Sequence, residues 1–157
     1  MIRPILILGL LFFGSASAVA QGTQITFGTL SQDTTAPVEV SADQLQVNQS
    51  DGSATYRGNV IVGQGDMRLA AGVVRVVYSS NARRIDRLEA RGGVTLVSGE
   101  EAAEGDEADY NIEAGTVLLR GNVLLTQGPN AITADRMLVD LESGTAQMSG
   151  RVRTVFQ

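Results

Sequence analysis

The sequence contains no cysteine, no histidine and no tryptophan. Without cysteine the chain can form neither a disulfide framework nor a thiolate metal site. Without histidine it lacks the commonest general base and metal ligand, which argues against a hydrolase or a metalloenzyme. Aromatic residues make up only 4% of the chain, so few large rings are available to fill a core. We therefore predict no catalytic residue, no metal site and no cofactor.

Lysine is also absent, so all 12 basic residues are arginines. The formal net charge of −5 argues against a nucleic-acid partner, because phosphate backbones bind basic surfaces. The exclusive use of arginine has two explanations. It reflects the composition of the source genome, or it serves phosphate and carboxylate groups, which a guanidinium fork binds well.

The first part of the chain, residues 1–20, has the features of a secretory signal peptide. A positive charge at Arg3 precedes the apolar run 5–13, and Ala18-Val19-Ala20 has the form that signal peptidase accepts. Ala16-Ser17-Ala18 is an alternative cleavage site. An uncleaved anchor is the competing interpretation, but the run is shorter than the roughly 20 apolar residues that span a bilayer. We predict cleavage of this segment and export to the periplasm.

The mature chain divides into two parts. Residues 21–37 are polar and rich in Thr, Ser and Gln, which predicts a mobile N-terminal segment. Residues 38–157 have the size of one domain with a single core.

This predicted domain contains a short turn-and-strand pattern that returns about four times. One valine of each copy follows a glycine-containing turn, at intervals of 34, 29 and 29 residues: Val60, Val94, Val123 and Val152. Three aspartates share a second equivalent position: Asp43, Asp106 and Asp135. Repeats that each expose one apolar face must stack to bury it, so the pattern predicts a stack with a continuous apolar interior.

Apolar and polar residues alternate within each copy. Leu45 and Val47 alternate with polar neighbours, and Met137, Val139 and Leu141 do the same. This alternation predicts half-buried strands rather than helices. Glycines between the strands predict tight turns, so each unit is expected to hold about three short strands of roughly five residues. The sequence therefore predicts an all-β fold of stacked short antiparallel strands with no significant helix.

Two charged segments interrupt the pattern. Residues 100–109 contain six acidic residues within ten positions, but their spacing does not match an EF-hand or a glycine-rich calcium repeat. We predict a solvated hairpin or loop there. Arg83, Arg84 and Arg87 lie beside an insertion that is predicted to be a polar loop. There are two interpretations of this cluster. The arginines bind lipid phosphates or an acidic partner, or they form a solvated turn with no specific role.

The inward positions of the alternating pattern are almost all aliphatic, with two interpretations. The first is a closed core. The second is a slot for alkyl chains, because small and medium aliphatics between two sheets leave room that aromatic rings would fill. In the second case these residues would line the slot: Val47, Tyr56, Val60, Val62, Leu69, Val76, Leu88, Val94, Leu96, Ile112, Leu119, Val123, Leu125, Met137, Val139 and Met148.

The repeated motifs also carry a family resemblance. Residues 37–45, 54–60 and 134–137, with the Gly-Asn-Val turns, resemble the OstA-like (LptA) family of lipopolysaccharide transport proteins. The resemblance implies an open β-jellyroll whose interior shelters the acyl chains of lipopolysaccharide. It also implies two partners that pair edge to edge with this chain, an LptC-like jellyroll at the inner membrane and an LptD-like jellyroll at the outer membrane.

The two ends of the predicted stack are weakly protected against edge pairing. The predicted first strand, 38–47, and the predicted last strand, 150–156, contain no internal proline and no lysine. The residues expected to pair edge to edge are Val40, Leu45, Val152 and Thr154. Because pairing the last strand of one molecule with the first of another is heterologous, we predict an open head-to-tail homo-oligomer.

Three other functional classes compete with lipid transport. A structural or adhesive β-solenoid would act through its surface, but its repeats would be more regular than four copies with an insertion. A lipid-independent scaffold would link envelope components through its edges alone, and it would fail to bind lipopolysaccharide. An enzyme is disfavoured because acidic pairs such as Asp106 and Asp109 have no companion nucleophile or base.

Overall fold

The computed structural model describes residues 23–26, 33–81 and 84–157. The predicted signal peptide and Arg83 lie outside these described residues, and what was predicted of them stays a prediction. The described residues form these strands: β1 (Thr23–Thr26), β2 (Glu39–Ser41), β3 (Gln44–Val47), β4 (Ala54–Gln64), β5 (Met67–Tyr78), β6 (Ile85–Ser98), β7 (Glu101–Asn111), β8 (Thr116–Gln127), β9 (Asn130–Asp140), β10 (Thr145–Ser149) and β11 (Arg153–Val155). In this described part of the chain there is no helix long and apolar enough to cross a membrane.

The strands form one antiparallel sheet whose two ends stay apart. Strands β4 to β9 pair consecutively, β2 and β3 both pair with β4, and β10 and β11 both pair with β9. β1 lies on the outer side of β10, with Thr23 opposite Met148. Within the described residues, the β2–β3 end never pairs with the β1 or β11 end. The prediction of an open, all-β antiparallel fold is confirmed.

The strands are longer than the sequence predicted, because the Gly-Asn motifs inside them are β-bulges, whereas other glycines, such as Gly65 and Gly128, do lie in turns. β4 to β8 each span 11 to 14 residues, and the register shifts within every ladder between consecutive strands from β4 to β9. Gly58-Asn59 and Gly121-Asn122 form two of these bulges, with φ between 46° and 78°. A bulge bends a strand without ending it. The predicted three short strands per unit were therefore wrong.

The bulges lie side by side and form a crease across the sheet. The crease continues between β2 and β3 at one end and between β10 and β11 at the other. It divides the sheet into two halves, which we name leaf 1 and leaf 2. Leaf 1 contains β1, β3, β10 and residues 54–57, 73–78, 85–91, 107–111, 116–120 and 136–140. Leaf 2 contains β2, β11 and residues 60–64, 67–70, 94–98, 101–104, 123–127 and 130–134.

The two leaves are folded onto each other. Gln64 lies at the far end of β4 on leaf 2, and Tyr110 lies at the opposite end of its strand on leaf 1. On a flat sheet, these residues would be about 30 Å apart. Instead, the Tyr110 hydroxyl donates a hydrogen bond to Gln64 Oε1. The sheet therefore bends back at the crease and encloses its apolar face.

The two ends of the sheet differ from the strands predicted there. The predicted first strand, 38–47, is two short strands, because the crease passes between β2 and β3 at Asp43, whose N–H donates to the Gly58 carbonyl at 2.9 Å. The predicted last strand contains only β11. Val152 precedes β11 and is not in a strand, whereas Thr154 pairs opposite Ile132.

The segment before the predicted domain contains one described strand. Thr23–Thr26 fall in the segment predicted to be mobile, but they form β1 against β10. Of the predicted edge residues, Val40 lies in β2 and Leu45 in β3, as expected for the end of the sheet.

The acidic run, residues 100–109, is mostly the central strand β7 rather than a hairpin or loop. Ala103 and Ala108 point inward and are buried, while most of the acidic side chains alternate with them. Arg120 on the neighbouring β8 pairs with Asp109 at 2.7 Å. The prediction was wrong because alanine is a weak strand former, so the inward positions did not stand out beside the acids.

Candidate functional site

The space between the leaves holds most of the residues predicted to line a slot. Thirteen are buried: Val60, Val62, Leu69, Val76, Leu88, Val94, Leu96, Leu119, Val123, Leu125, Met137, Val139 and Met148. Tyr56 and Ile112 are half-buried and pack against this cluster. The fold thus brings these side chains into one continuous apolar interior.

Val47 is the one residue of the predicted slot that is exposed. It is 60% exposed, and its neighbour Leu45 is 55% exposed. Val47 lies opposite Ala54, and Leu45 lies opposite Tyr56, so both stand on the inner face of leaf 1. They are exposed because β3 has no strand on its outer side among the described residues. The interior face therefore continues to the free end of the sheet, where it meets solvent.

The interior itself is closed to water. Val62, Leu96 and Leu125 on leaf 2 are 0% exposed, as are Val76 and Leu119 on leaf 1. Side chains packed to this degree leave little room for a further molecule. The interior thus contains the residues that were predicted to line a slot, but the two leaves close over them.

A buried polar contact joins the leaves opposite the crease, along a line that we name the rim. Gln64 is 2% exposed, and Tyr110 is 1% exposed. The Tyr110 hydroxyl donates to Gln64 Oε1, and Gln64 Nε2 donates to the carbonyls of Thr34 at 3.0 Å and Ala36 at 2.9 Å. Burial raises the pKa of Tyr110 to about 12, so its hydroxyl is protonated at neutral pH.

Residues 33–37, which we name the strap, lie against the rim from outside. Ala36 and Pro37 border a cleft of about 450 Å³ together with Gly65, in the turn that follows Gln64. Thr34 lies against the β7–β8 turn on leaf 1, where a Cβ added to Gly115 would be 3.5 Å from Thr34 Cγ2. The strap thus contacts both leaves.

Most inner positions at the rim of leaf 2 are polar, although Met67 among them is apolar. Gln64 and Ser98 are buried there, and Glu101 Oε1 accepts a hydrogen bond from Gln127 Nε2 at 3.1 Å. Glu101 Oε2 is buried and has no hydrogen-bond partner among the described residues. Burial raises the pKa of the Glu101 carboxyl. These polar side chains can form hydrogen bonds with hydroxyl and amide groups, whereas the aliphatic interior beside them cannot.

The three equivalent aspartates all lie on the crease. Asn59 Nδ2 donates a hydrogen bond to Asp43 Oδ2 at 2.9 Å. Asp106 occupies the equivalent position on β7. Arg151 Nη2 donates to Asp135 Oδ1 at 2.6 Å. The hydrogen bond from Arg151 lowers the pKa of Asp135. These carboxylates stabilise the bend and are separate from the interior. Within the described residues, no group of three or more potential side-chain ligands could hold a metal ion.

The arginine cluster at the insertion is only partly described. Arg84 is exposed, and Arg87 Nη2 pairs with Glu89 Oε1 at 2.8 Å. Glu89 also pairs with Arg75 at 3.4 Å. A role for this cluster in binding phosphate stays a prediction.

Sequence reasoning missed Gln64 as a functional candidate. It occupies the next inward position after Val60 and Val62, so the period-two pattern did place it on the inner face. Its partner Tyr110 follows the same period-two pattern, two positions after the buried Ala108. Only the folded sheet brings the two together, because they lie on different leaves and 46 residues apart.

Comparisons with known proteins agree with this architecture. The fold matches the crystal structure of LptH, the LptA homologous periplasmic component of the lipopolysaccharide transport device of Pseudomonas aeruginosa. The TM-score is 0.71 at 20% identity, over 80% of this chain and 99% of that chain. An uncharacterized protein of Rhizobium meliloti (strain 1021) is 32% identical over 113 residues, which cover 68% of this chain but only 61% of that protein. Residues 39–145 match the family described as LptA/(LptD N-terminal domain) LPS transport protein. This chain therefore belongs to the LptA/LptD N-terminal domain family of lipopolysaccharide transport proteins.

Proposed function

We propose that this protein carries lipopolysaccharide across the periplasm, from the inner to the outer membrane, as one unit of a protein bridge. The acyl chains of the lipid lie between the two leaves, and no catalytic step takes part. Membership of a lipopolysaccharide transport family supports the cargo. The continuous aliphatic interior supports the place where its chains are held.

Burial of apolar surface supplies the physical reason for such a carrier. Each methylene group shielded from water contributes about 0.8 kcal/mol. A lipid with several acyl chains therefore faces a prohibitive barrier to crossing an aqueous gap unprotected. An interior that continues from one molecule to the next lets the chains slide without meeting water.

One observation carries this proposal: the inner face of leaf 1 does not end where the core ends. Leu45 and Val47 continue it to the free end of the sheet, exposed by more than half of their surface. A closed structural core would cover such side chains or replace them with polar ones. A second jellyroll docked at this end would bury them and extend the apolar interior across the junction.

The opposite end of the sheet offers the matching edge. β11 pairs with β9 on one side only among the described strands. Val155 within β11 is 42% exposed, and Phe156 next to it is 78% exposed. Pairing of β11 with the β2–β3 end of another molecule is heterologous and generates an open head-to-tail oligomer. The same ends would pair with an LptC-like jellyroll at the inner membrane and an LptD-like jellyroll at the outer membrane.

Photo-crosslinking in cells tests the cargo. A photoreactive amino acid at Val60, Val94 or Val123, all on the inner face, is expected to capture lipopolysaccharide. The same amino acid at Thr55, on the outer face of β4 beside the buried Ala54, is the matched control. Capture only at Thr55 would show that the interior does not hold the lipid.

Binding by the purified protein separates a carrier from a lipid-independent scaffold. A carrier is expected to bind lipopolysaccharide when no partner is present. A protein that joins both membrane partners but never binds the lipid would be a scaffold, and the carrier proposal would be rejected.

Proline substitution tests the edge. Thr154→Pro is expected to disturb β11 and weaken head-to-tail association, because proline cannot donate to a ladder. Val152→Pro is the matched control, since Val152 precedes the strand. Equal association of the wild type and Thr154→Pro in sedimentation velocity would exclude β11 as the contact.

A further inference from the structure

The interior must open before it can accept an acyl chain. Val62, Leu96 and Leu119 from the two leaves are fully buried, so the leaves are in contact along the interior. At the crease the leaves are joined by the backbone of every long strand. Opposite the crease, at the rim, they meet through side chains. The rim is therefore the line along which the leaves can part.

We infer that Gln64 and Tyr110 form a latch that holds the rim shut, and that release of this latch admits the lipid chains. This inference rests on the proposed function. It assigns to two residues the control of access to the interior. Neither residue is proposed to react with the cargo.

The chemistry of the contact suits a latch. A buried hydrogen bond adds only modest net stability, but breaking it without replacement leaves costly unsatisfied groups. The closed state is thus well defined while the leaves are together. When the leaves part, the Tyr110 hydroxyl and the Gln64 amide reach water, or the hydroxyl and amide groups of an entering lipid. Both states then satisfy these groups, so the two groups themselves add little to the free-energy difference between the states. The apolar surface exposed on opening dominates that difference, and an entering acyl chain covers this surface.

Gln64 also connects the latch to the strap. Its amide nitrogen donates to two strap carbonyls, those of Thr34 and Ala36, while its amide oxygen accepts from Tyr110. A single side chain therefore holds leaf 1, leaf 2 and the strap together. Movement of Gln64 away from Tyr110 disturbs its bonds to the strap, so the strap and the rim are expected to open together.

Distance measurement between spin labels tests the latch. The chain has no cysteine, so single cysteines at Asp66 and Glu113, exposed in turns of leaf 2 and leaf 1, are labelled selectively. Tyr110→Phe removes the hydroxyl and is expected to raise the population with a longer distance between the labels by about fivefold, as loss of one net hydrogen bond implies. Tyr78→Phe removes a hydroxyl from the same leaf that has no hydrogen bond within the described residues. It is expected to match the unsubstituted protein.

A second variant distinguishes the loss of the latch from a simple folding defect. Gln64→Met keeps the length of the side chain but removes its contacts with both Tyr110 and the strap. It is expected to give the same longer distance as Tyr110→Phe, with native circular dichroism. If both folded variants show the distance distribution of Tyr78→Phe, the latch is rejected.

A measurement of lipopolysaccharide uptake distinguishes a failure of the latch from a failure of the proposed function. If the latch controls access, the purified protein with Tyr110→Phe is expected to take up the lipid several-fold faster than Tyr78→Phe. Longer label distances in a protein that never binds the lipid would reject the proposed function and retain a latch of other purpose. Lipid uptake at one rate in all variants, with unchanged distances, would reject the latch and retain the function.

Discussion

Asn122 Nδ2 donates a hydrogen bond to Asp106 Oδ2 at 2.9 Å, and the two residues join β8 to β7 on the crease. Gly121 precedes Asn122 with φ of 78°, and a Cβ added to it would overlap the Asp106 carboxylate. The repeated motif thus needs glycine for two reasons, its left-handed backbone and the space that the aspartate occupies.

Substitution of this glycine is expected to be costly. Gly121→Ala should lower the free energy of unfolding by about 2 to 3 kcal/mol, because strain is added and the Asp106 hydrogen bond is lost. Gly128→Ala is the matched control. Gly128 has φ of 55° and no atom within 4 Å of an added Cβ, so a loss of about 1 kcal/mol is expected. Urea unfolding measures both, and equal losses would contradict the role given to Asp106.

The buried Tyr110 should make stability depend on alkaline pH. Burial raises its pKa to about 12 in the folded protein, above its ordinary value of 10.0. The folded state therefore holds the proton more tightly, so its stabilisation is complete below pH 10.0 and is lost as the pH rises towards 12. Roughly 2 kcal/mol should be lost over this interval. Tyr110→Phe should show a smaller decrease than Tyr78→Phe in urea unfolding at several pH values, and parallel curves would contradict this assignment.

Neighbouring leucines on β8 and β9 should differ sharply in their contribution to stability. Leu119 is 0% exposed between the leaves, whereas Leu138 on the outer face is 42% exposed. Leu119→Ala is expected to cost about 2 to 5 kcal/mol through lost burial and the cavity that remains. Leu138→Ala should cost less than about 1 kcal/mol. Similar costs in thermal and urea unfolding would show that the interior is already loosely packed.

The exposed inner-face residues should matter for association rather than for folding. Replacing Leu45 and Val47 with serine removes apolar surface that a docked neighbour would bury. The dissociation constant of the head-to-tail contact is expected to rise roughly thirtyfold, since each of the two side chains contributes on the order of 1 kcal/mol. Ile61→Ser changes a residue of the outer face that is 40% exposed, and it should leave association unchanged. Sedimentation equilibrium compares the two, and an equal effect would place the contact elsewhere.

The sequence alone determined the composition of the interior. Apolar residues at every second position, such as Val60 and Val62 on β4, specify strands with one buried face. The spacing of Asp43, Asp106 and Asp135 likewise predicted their equivalence, because repeats of one motif occupy one place in successive strands. These are local properties of the chain, so they can be read without knowing how the sheet closes.

Tertiary structure decided where the strands bend and which side chains contact each other across the interior. A Gly-Asn pair is typical of a hairpin turn, and local sequence does not distinguish a turn from a bulge, since both use positive φ. Strand pairing on both sides of Gly58-Asn59 keeps β4 continuous and turns the motif into part of the crease. The latch between Gln64 and Tyr110 exists only because that crease folds leaf 1 onto leaf 2. Alternation specifies which face of a strand is buried, but the partner of each buried side chain depends on how the whole sheet closes.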